Sequence, residues 1–532
     1  MEHILHGPVI PKHILDSKTN LSQYFIRTLS EHGDKVAMVD VHDNTKITFN
    51  DILNTSLNVA RWLKYECGIQ KSDVVGLFIE NTVWYSTLVL AVWHVGGICA
   101  LYNPLYNNQE LKHVLNICKP KMMICSRMGI NLVQKVSKEI NYLKYVCPIE
   151  IAINLKTIQE KSSFVPIEYD NNHTSIILCS SGTTGLPKGV ELTHRNLYLM
   201  NNILQYLNSF IVKTDIMNGL VPMFHGYGLL VMCLSMALGS KVIVFKYFEE
   251  NLFLKSIDDH KITVLFAVPP LMVYLSKTPL VNKYSLSSLR IIYSGAAPLS
   301  HEVELEVIKK IGKGKPLIVE QGYGMTELSI LATCHVHTEN SQHPVPPGTI
   351  GNLLLGMSAK VIDLETGKTL GAYKSGEICF KGPMVMKGYY GNPKETSNTI
   401  DEDGWLHTGD VGYYDKNLNF FIVDRIKELI KYKGYQVAPA ELESLLLTHP
   451  DIEDAAVIGL PNKEAGELPM AFIVKVQGSK LKENDVINFM NKLVSSQKRL
   501  RGGVQFVDSI PKNPSGKILR RNLRNQINQS KL

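Results

Sequence analysis

Runs of consecutive apolar residues alternate with amphipathic segments along much of the chain. The apolar runs predict buried strands at residues 36–40, 46–49, 74–79, 98–102, 122–125, 174–178, 216–222, 241–245, 264–268 and 289–292. Between them, helical periodicity predicts helices at residues 23–32, 51–65, 82–95, 229–238 and 252–259, and another from Asn108. Asn50 or Asp51 is the expected N-cap of the second helix. Continuous apolar strands separated by helices are typical of parallel sheets covered on both faces, so the expected fold class is α/β.

The hydrophobic pattern changes after residue 376, where shorter strands and more turns predict a small β-rich subdomain. Residues 423–437 combine alternating charges with a glycine, which indicates a hinge followed by an edge hairpin. The end of the chain predicts a compact α+β unit. We therefore expect a large N-terminal domain of several subdomains at residues 1–424 and a small C-terminal domain at residues 425–532.

Charge is unevenly distributed over the 532 residues. The apolar content of 45% and the charged content of 20% are those of an ordinary soluble globular protein. Residues 424–532 carry 18 basic and 12 acidic side chains, so +6 of the net charge of +7 lies there. This asymmetry favours a basic C-terminal unit that faces an anionic substrate. Because no DNA- or RNA-binding motif accompanies it, a nucleic-acid partner is not expected.

The nine cysteines are dispersed without a C-x-x-C pair, which indicates reduced thiols in a cytosolic or organellar protein. Cys334 and His335 lie beside a second histidine, but this group lacks partners at metal-ligand spacing, so a loop or structural role is preferred.

Neither a signal peptide nor a membrane span is expected. The N-terminus lacks a basic segment followed by a long apolar one, and the apolar region at residues 88–102 is broken by His94 and two glycines. The tripeptide Ser530, Lys531 and Leu532 matches a peroxisomal address. It predicts a peroxisomal location, or otherwise the cytosol, with the peroxisomal import receptor as a partner.

A loop rich in glycine and hydroxyl side chains follows the expected strand at residues 174–178. Because glycine lets the backbone approach a ligand closely and Lys188 supplies a positive charge, the loop predicts a phosphate site. It is not a Walker A loop, because Gly189 follows the lysine where that motif has a hydroxyl. A Ser/Gly-rich surface turn is the alternative, and it does not account for Lys188. The expected phosphate-binding residues are Ser180, Ser181, Gly182, Thr183, Thr184, Gly185 and Lys188.

Other candidate residues lie in short segments rich in glycine, and those at 225–227 and 295–297 follow expected strands, where ligands bind in α/β sheets. They are His225, Tyr227, Gly295, Ala296, Ala297, Gln321, Gly322, Tyr323, Thr326 and Glu327. Small residues at 295–297 leave room for a flat group, Tyr323 suits base stacking, and Glu327 suits Mg²⁺. For His225, structural and catalytic roles are equally favoured, and it is kept as a candidate catalytic residue.

Two residues nearer the C-terminus complete the candidate chemistry. Asp410 is an acceptor suited to two ribose hydroxyls, with a turn cap as its alternative role. Lys517 lies at the tip of a loop at residues 511–521 that is bounded by proline and glycine, and a solvated basic turn is the alternative.

The order and content of these motifs strongly resemble the adenylate-forming superfamily, which includes acyl-CoA synthetases, 4-coumarate–CoA ligases and insect luciferases. The resemblance spans nearly the whole chain and is carried by residues 180–189, 323–327, 404–410, 424–427 and 514–517. Residues 430–443 and 500–504 and the terminal Ser-Lys-Leu are most similar to beetle luciferases and their acyl-CoA synthetase relatives.

This resemblance implies an enzyme that adenylates a fatty or aryl carboxylic acid with Mg·ATP and then transfers the acyl group to CoA. It implies a C-terminal domain that acts as a mobile lid, with Lys517 serving the first step and Lys431 the second. Asp410 matches the ribose ligand, Arg425 a second ATP contact and Glu327 the Mg²⁺ ligand. By their positions in the family's motifs, Thr326 is implied to contact phosphate and Tyr323 to stack on adenine. The residues implied to belong to the hinge or CoA region are Lys427, Lys433, Gly434 and Gln436.

The expected acyl pocket departs from the beetle luciferases at two positions. Met200 stands where they carry an arginine, and Ile330 stands where they carry a serine, so the expected pocket is more apolar. The expected pocket residues are Met200, His225, Tyr227, Gly295, Ala296, Ala297 and Ile330. The expected activity is therefore an acid–CoA ligase, and a luciferase that oxidises an adenylated luciferin with O₂ is the alternative.

Overall fold

Strands from distant parts of the sequence assemble into two seven-stranded sheets, two five-stranded sheets and a two-stranded pair. The computed structural model describes residues 3–155, 164–180, 187–207, 211–335, 346–513 and 516–529. Within these ranges, no helix combines the length and the apolarity needed to cross a membrane.

The strands and helices are numbered in chain order. The strands are β1 (Leu5–His6), β2 (Val36–Asp40), β3 (Lys46–Thr48), β4 (Val74–Phe78), β5 (Ile98–Leu101), β6 (Met122–Cys125), β7 (Tyr145–Pro148), β8 (Thr174–Ser180), β9 (Lys188–Thr193), β10 (Ile216–Gly219), β11 (Lys241–Val244), β12 (Val264–Ala267), β13 (Ile291–Ser294), β14 (Ile318–Gln321), β15 (Thr333–Cys334), β16 (Asn352–Leu353), β17 (Ser358–Ile362), β18 (Gly376–Lys381), β19 (Gly388–Tyr389), β20 (Leu406–Tyr414), β21 (Phe420–Arg425), β22 (Ile430–Tyr432), β23 (Tyr435–Val437), β24 (Ile452–Asn462), β25 (Gly466–Lys475) and β26 (Val504–Phe506). The α-helices are α1 (Lys12–Leu15), α2 (Leu21–His32), α3 (Phe49–Tyr65), α4 (Tyr85–His94), α5 (Asn108–Cys118), α6 (Ile130–Ser137), α7 (Ile149–Ile153), α8 (His194–Tyr206), α9 (Gly226–Leu238), α10 (Glu250–His260), α11 (Pro269–Lys277), α12 (His301–Val307), α13 (Pro393–Thr399), α14 (Pro439–Leu447), α15 (Glu483–Leu493) and α16 (Arg520–Gln529).

The two seven-stranded sheets are parallel in their centres and antiparallel at an edge. One has the order β19-β9-β8-β5-β4-β6-β7, and its pairs from β8 to β7 are parallel. The other has the order β14-β13-β12-β10-β11-β2-β3, and only its last pair is antiparallel. The predicted α/β class, with buried parallel strands between helices, is therefore confirmed.

A single large core joins strands of both sheets with the helices between them. Every residue of α4 is buried, and α9 is apolar on nearly all sides, as expected for helices surrounded by protein. This core includes Val75 of β4 and Val242 of β11, which belong to different sheets. Within it, the indole of Trp93 donates a 2.8 Å hydrogen bond to the carbonyl of Ser175, which satisfies its buried N–H group.

One buried side chain ties the ends of the two sheets together. Asn81 follows β4, and its amide nitrogen lies 3.2–3.3 Å from the carbonyl oxygens of residues 219 to 221 and of Phe245. Its amide oxygen accepts a 2.8 Å hydrogen bond from the backbone N–H of Met223. Asn81 thereby holds the segment that leads to His225, and the hydrophobic pattern gave no indication of this role.

Three local predictions need correction. The N-cap of α3 is Thr48 rather than Asn50 or Asp51, because Thr48 and Asp51 form a reciprocal capping box. Helix α9 begins at Gly226, three residues earlier than predicted, and His225 is its N-cap. Strand β13 begins two residues later than predicted, at Ile291. In each case, the element begins where the hydrogen bonds of its backbone begin, and the pattern of side chains does not mark that residue.

The last third of the chain contains the two five-stranded sheets. The predicted β-rich subdomain is the antiparallel sheet β1-β17-β18-β20-β21, to which the N-terminal β1 contributes an unexpected edge strand. The C-terminal sheet has the order β23-β22-β25-β24, with β26 paired to β25, and the expected hairpin β22–β23 lies at its edge. The domain boundary expected at 424/425 falls at the end of β21, and it stays a prediction.

Buried histidines make the stability of the fold depend on pH. His94 has no exposed surface and lies between the hydroxyls of Ser22 and Ser56, and burial lowers its pKa to about 3. The folded protein therefore keeps this ring neutral, whereas the unfolded chain binds a proton below about pH 6.5. The folded state should lose up to about 1.4 kcal/mol per pH unit from this group as pH falls below 6.5.

We expect His94→Gln to reduce the pH dependence of the urea-unfolding free energy between pH 7 and 5. The substitution removes the group that the unfolded chain protonates. His13→Gln, at an exposed position, is the matched control and should leave the slope unchanged. An equal slope in the wild-type protein and the His94 variant would contradict this account.

Candidate active site

A cleft of about 950 Å³ lies where the large N-terminal region meets the C-terminal sheet and helices. Ala296, Ala297, Gln321, Gly322, Tyr323, Asp410 and Arg425 line it from one side, and Glu443, Lys512, Gly516, Lys517 and Arg520 line it from the other. Since β13 and β14 are parallel neighbours, the residues that follow them emerge at the same edge of their sheet. The cleft is therefore at the position expected for a ligand in an α/β sheet.

Tyr323, Asp410 and Arg425 form a connected group in this cleft. The Tyr323 hydroxyl donates a 2.6 Å hydrogen bond to Oδ2 of Asp410, and Nε of Arg425 lies 3.2 Å from Oδ1. Asp410 and Arg425 are direct partners on β20 and β21, so sheet register brings them together. Each carboxylate oxygen has a second lone pair, which leaves Asp410 able to accept hydroxyl groups from a ligand.

The ring of Tyr323 is held on one face by Phe380. The two rings are stacked with centroids 5.9 Å apart, and Tyr323 borders the cleft. Phe380 therefore occupies one face of the ring, and only the other face remains for a ligand. Gln321 has a positioning role, because its side-chain amide bonds both the N–H and the carbonyl of Leu299 at 3.2 Å.

Lys517 lies inside the cleft rather than in a solvated turn, so the alternative for this loop is wrong. Its backbone N–H donates to Asn513, and a Cβ at Gly516 would lie 3.0 Å from Pro270 of the large domain. Burial lowers the pKa of Lys517 to about 8, with Arg425 adding to the effect and Asp410 opposing it. The side chain is still mainly cationic at pH 7.

An ion pair anchors the helix that follows the Lys517 loop. Arg520, the first residue of α16, makes two 2.7 Å hydrogen bonds to the carboxylate of Glu443. Asp424 accepts a 2.8 Å bond from the backbone N–H of Ala440, which links β21 to α14. Burial raises the pKa of both Asp424 and Glu443, and the positive charge of Arg520 opposes the increase. Sequence analysis did not identify this network.

Lys431 lies on β22 and is exposed, and it does not line the cleft that contains Lys517. Lys433, Gly434 and Gln436, in the same hairpin, are also exposed. Lys427 is exposed in the short connection between β21 and β22. The structure therefore brings Lys517 to the adenine and ribose candidates and leaves Lys431 outside them.

Glu327 is a buried carboxylate on a short 3₁₀ turn that begins at Thr326. Its Oε1 accepts hydrogen bonds from Ser180 Oγ at 3.2 Å and from the Tyr389 hydroxyl at 3.0 Å. Oxygen ligands of this kind fit Mg²⁺. Sequence analysis missed Tyr389, because it lies on the two-residue strand β19, which is too short to show a hydrophobic pattern.

Lys188 forms an ion pair with Glu395 of α13, and its ammonium lies 4.9 Å from the centroid of the Tyr389 ring. The lysine that was expected to bind phosphate thus has a carboxylate partner in this structure. The centre of the expected phosphate loop, residues 181–185, lies outside the described residues. Its role stays a prediction.

The expected acyl-pocket residues lie together, with one exception. The Tyr227 hydroxyl donates a 2.9 Å bond to the carbonyl of Tyr293, and a Cβ at Gly295 would lie 3.7 Å from the Tyr227 ring. Burial lowers the pKa of His225 to about 4, so the ring is neutral at physiological pH. Met200 is the exception. It lies on α8, and its side chain has no exposed surface and packs in the large core. The expectation that it lines the pocket therefore needs correction.

Ile330 has an unusual backbone conformation beside this pocket. Its φ is +87°, which is rare for a β-branched side chain, and a Cβ at Gly226 would lie 3.0 Å from its Cγ1. Strain of this kind persists where the surrounding structure imposes it, often at ligand sites. Ile330 is therefore held against the first turn of α9.

Sequence comparison assigns the chain to a known family. The AMP-binding enzyme family matches residues 25–390, and the AMP-binding enzyme C-terminal domain matches residues 441–517. The chain belongs to this family of adenylate-forming enzymes.

Two similar relatives represent different activities. The luciferin 4-monooxygenase of Luciola mingrelica is 38% identical over 537 residues, covering 97% of this chain and 96% of the relative. The 4-coumarate–CoA ligase 1 of Petroselinum crispum is 38% identical over 530 residues, covering 97% and 95%. Among solved structures, ATP-bound MatB from Rhodopseudomonas palustris has a TM-score of 0.85 and 28% identity, covering 96% of this chain and 99% of that one.

We expect Asp410→Asn to weaken ATP binding by about 10- to 100-fold. A hydrogen bond to a charged group contributes about 1.5–3 kcal/mol, and the substitution removes the charge that faces the cleft. Isothermal titration calorimetry without an acid substrate measures the change. Asp403→Asn, at an exposed position of the same segment, is the control, and equal losses in both variants would refute the assignment.

Proposed function

We propose that the protein activates a carboxylic acid with Mg·ATP and then transfers the acyl group to CoA. In the first step, the substrate carboxylate forms a bond to the α-phosphorus while the bond to pyrophosphate breaks. In the second, the CoA thiolate bonds to the acyl carbon and AMP leaves. The observation that carries the proposal is Lys517, which lies half-buried in the same cleft as Asp410 and Tyr323.

Lys517 is the proposed catalytic group of the first step. Negative charge increases on the α-phosphoryl group as pyrophosphate leaves, and a fixed cation stabilises that charge more in a partly dehydrated cleft than in water. Arg425 supplies a second cation, which its contact with Asp410 holds in place. Asp410 is the proposed ribose ligand, and Tyr323 the proposed adenine platform.

Glu327 is the proposed Mg²⁺ ligand, with Ser180 beside it. A bound Mg²⁺ would neutralise charge on the phosphates. Lys188 and Thr326 are the proposed phosphate contacts, for which Lys188 has to leave Glu395. The Tyr389 ring lies 4.9 Å from the Lys188 ammonium and its hydroxyl donates to Glu327, so the proposed phosphate and Mg²⁺ contacts share one neighbour.

The second step requires a different arrangement of the C-terminal domain. Lys431 is exposed and outside the cleft, and the connection at residues 426–429 is short and contains the exposed Lys427. We propose that rotation about this connection replaces Lys517 with Lys431 and opens a path for CoA along Lys433, Gly434 and Gln436. His225, neutral and half-buried, is proposed to position the acyl group as a hydrogen-bonding partner.

The acyl substrate is proposed to be apolar. Ile330 lies against α9 near Tyr227, and it offers no hydrogen bond to a hydroxylated aromatic ring. A luciferase that uses O₂ is the second candidate, because the luciferase of Luciola mingrelica and the ligase of Petroselinum crispum are equally similar to this chain.

We also propose a peroxisomal location, supported by the sequence Ser530, Lys531 and Leu532 and its match to the import address. These residues lie outside the described part of the chain. The peroxisomal import receptor is the partner that follows from this proposal.

We expect the two lysines to serve separate half-reactions. Lys517→Ala should lower acid-dependent ATP–pyrophosphate exchange by at least about a hundredfold, the size of effect that loss of a charge-stabilising group produces. It should spare thioester formation from a preformed acyl-adenylate. Lys431→Ala should show the reverse pattern.

Lys463→Ala, an exposed lysine of the same domain, is the control for both assays. Because the Lys517 pKa is about 8, the wild-type exchange rate should also decrease as pH rises through 8. Equal loss of both half-reactions in both variants would refute the division of roles.

Ile330→Ser should change the choice of acid. The ratio between the adenylation rates of a hydroxylated aromatic acid, such as beetle luciferin, and of an aliphatic acid should rise by about tenfold in the variant. This change corresponds to about 1.4 kcal/mol. Serine also tolerates a positive φ better than isoleucine, so the variant should fold. Pyrophosphate release on an acid panel measures the ratio, with Leu364→Ser as the exposed control. An unchanged ratio, or bright light from the wild-type protein with beetle luciferin, would contradict an apolar pocket.

A further inference from the structure

A cluster of three potential metal ligands lies on the β-rich sheet, apart from the proposed catalytic groups. Among the described residues, Glu377, Cys379 and His407 place a carboxylate oxygen, a thiol sulfur and a ring nitrogen within 4.8 Å of one another. Glu377 and Cys379 lie two residues apart on β18, and His407 is the direct partner of Cys379 on β20. Sheet register therefore brings these side chains to one face.

We propose that Glu377, Cys379 and His407 form a binding site for a transition-metal ion of the Zn²⁺ class. Cys379 Sγ is 3.5 Å from His407 Nδ1, and His407 Nδ1 is 3.1 Å from Oε2 of Glu377. Ligand bonds of about 2.0–2.3 Å at tetrahedral angles separate sulfur from nitrogen by about 3.5 Å, and nitrogen from oxygen by about 3.3 Å. These two observed separations are within about 0.2 Å of those values, and the thiol sulfur and the carboxylate oxygen are within 4.8 Å of each other. A fourth position is left for water.

The group on the other side of His407 supports a ligand role for Nδ1. Oδ2 of Asp401 is 3.5 Å from Nε2, so carboxylates face both ring nitrogens of His407. A metal ion at the cluster would displace the proton from Nδ1 and leave the proton on Nε2 directed to Asp401. Asp401 is itself held by a 2.8 Å bond from the backbone N–H of Trp405, so its position does not depend on the metal.

The ligand types select the metal. A thiolate with an imidazole and a carboxylate suits Zn²⁺ or Co²⁺, whereas Mg²⁺ prefers oxygen ligands alone.

Cys379 has no exposed surface, while His407 and Asp401 are each about one-third exposed, so an ion would enter from the histidine side. Lys360 is the Cα partner of Cys379 on β17, and its ammonium lies over the Trp405 ring at 4.6 Å.

The site is connected to the nucleotide cleft through one hydrogen bond. Oε1 of Glu377 accepts a 2.9 Å bond from the backbone N–H of Gly409, the residue before Asp410. An ion bound through Oε2 would fix this carboxylate and with it the segment that carries Asp410. The proposed role is therefore a structural clamp, and it does not depend on the acyl substrate.

Titration of the metal-free full-length protein with Co²⁺ tests the proposal. A single thiolate ligand should produce a near-ultraviolet thiolate-to-cobalt band together with visible bands of a tetrahedral ion, and excess Mg²⁺ should not remove them. Cys379→Ser should abolish the near-ultraviolet band. Cys334→Ser, at a thiol outside the cluster, should retain it.

Two further measurements do not depend on whether the Cys379 variant folds. Asp401→Asn keeps the acceptor for Trp405 and removes the charge beside Nε2, so it should weaken Co²⁺ binding by about 10- to 100-fold. X-ray absorption of the Zn²⁺-loaded wild-type protein should show one sulfur at about 2.3 Å with nitrogen and oxygen at about 2.0–2.1 Å. A shell without sulfur, or a band that persists in Cys379→Ser, would show that the cluster is only a hydrogen-bonded group.

Discussion

The contact between Asn81 and the ends of β10 and β11 is the constraint that the geometry of the candidate active site depends on. The two seven-stranded sheets each place candidate ligand-binding loops at the carboxyl ends of their strands, but those loops form one site only if the sheets keep a fixed relation. Asn81 satisfies carbonyl groups of one sheet from the end of a strand of the other. A buried amide that lost these partners would leave several polar groups unpaired, at a cost of about 1–3 kcal/mol each.

Burial also determines what the charged groups of the cleft can do. Lys517 and Arg425 lie near Asp410, and the same desolvation that lowers the lysine pKa strengthens its attraction to an incoming phosphate. Arg520 compensates the buried Glu443 and anchors the helix that follows the Lys517 loop. Arg425 is thus paired with Asp410, and Arg520 with Glu443.

The proposed acyl pocket shows how one fold can support related activities. Its wall is built from α9 and the strand ends, and the side chain of Ile330 lies against the first turn of α9. A ligase and a luciferase are equally similar to this chain, at 38% identity each. Overall similarity therefore does not separate the two activities.

The sequence alone was sufficient to predict the α/β class, the edge hairpin at β22–β23 and the grouping of Tyr323, Asp410, Arg425 and Lys517, the last through motif resemblance. These features depend on local hydrophobic periodicity, or on motifs whose residue order is retained. The position of Met200 in the core, the partners of Asn81 and Lys188, and the Glu377–Cys379–His407 cluster required the tertiary structure. They arise from contacts between strands and loops far apart in the chain, and sheet register, which no local pattern encodes, decides which of those side chains meet.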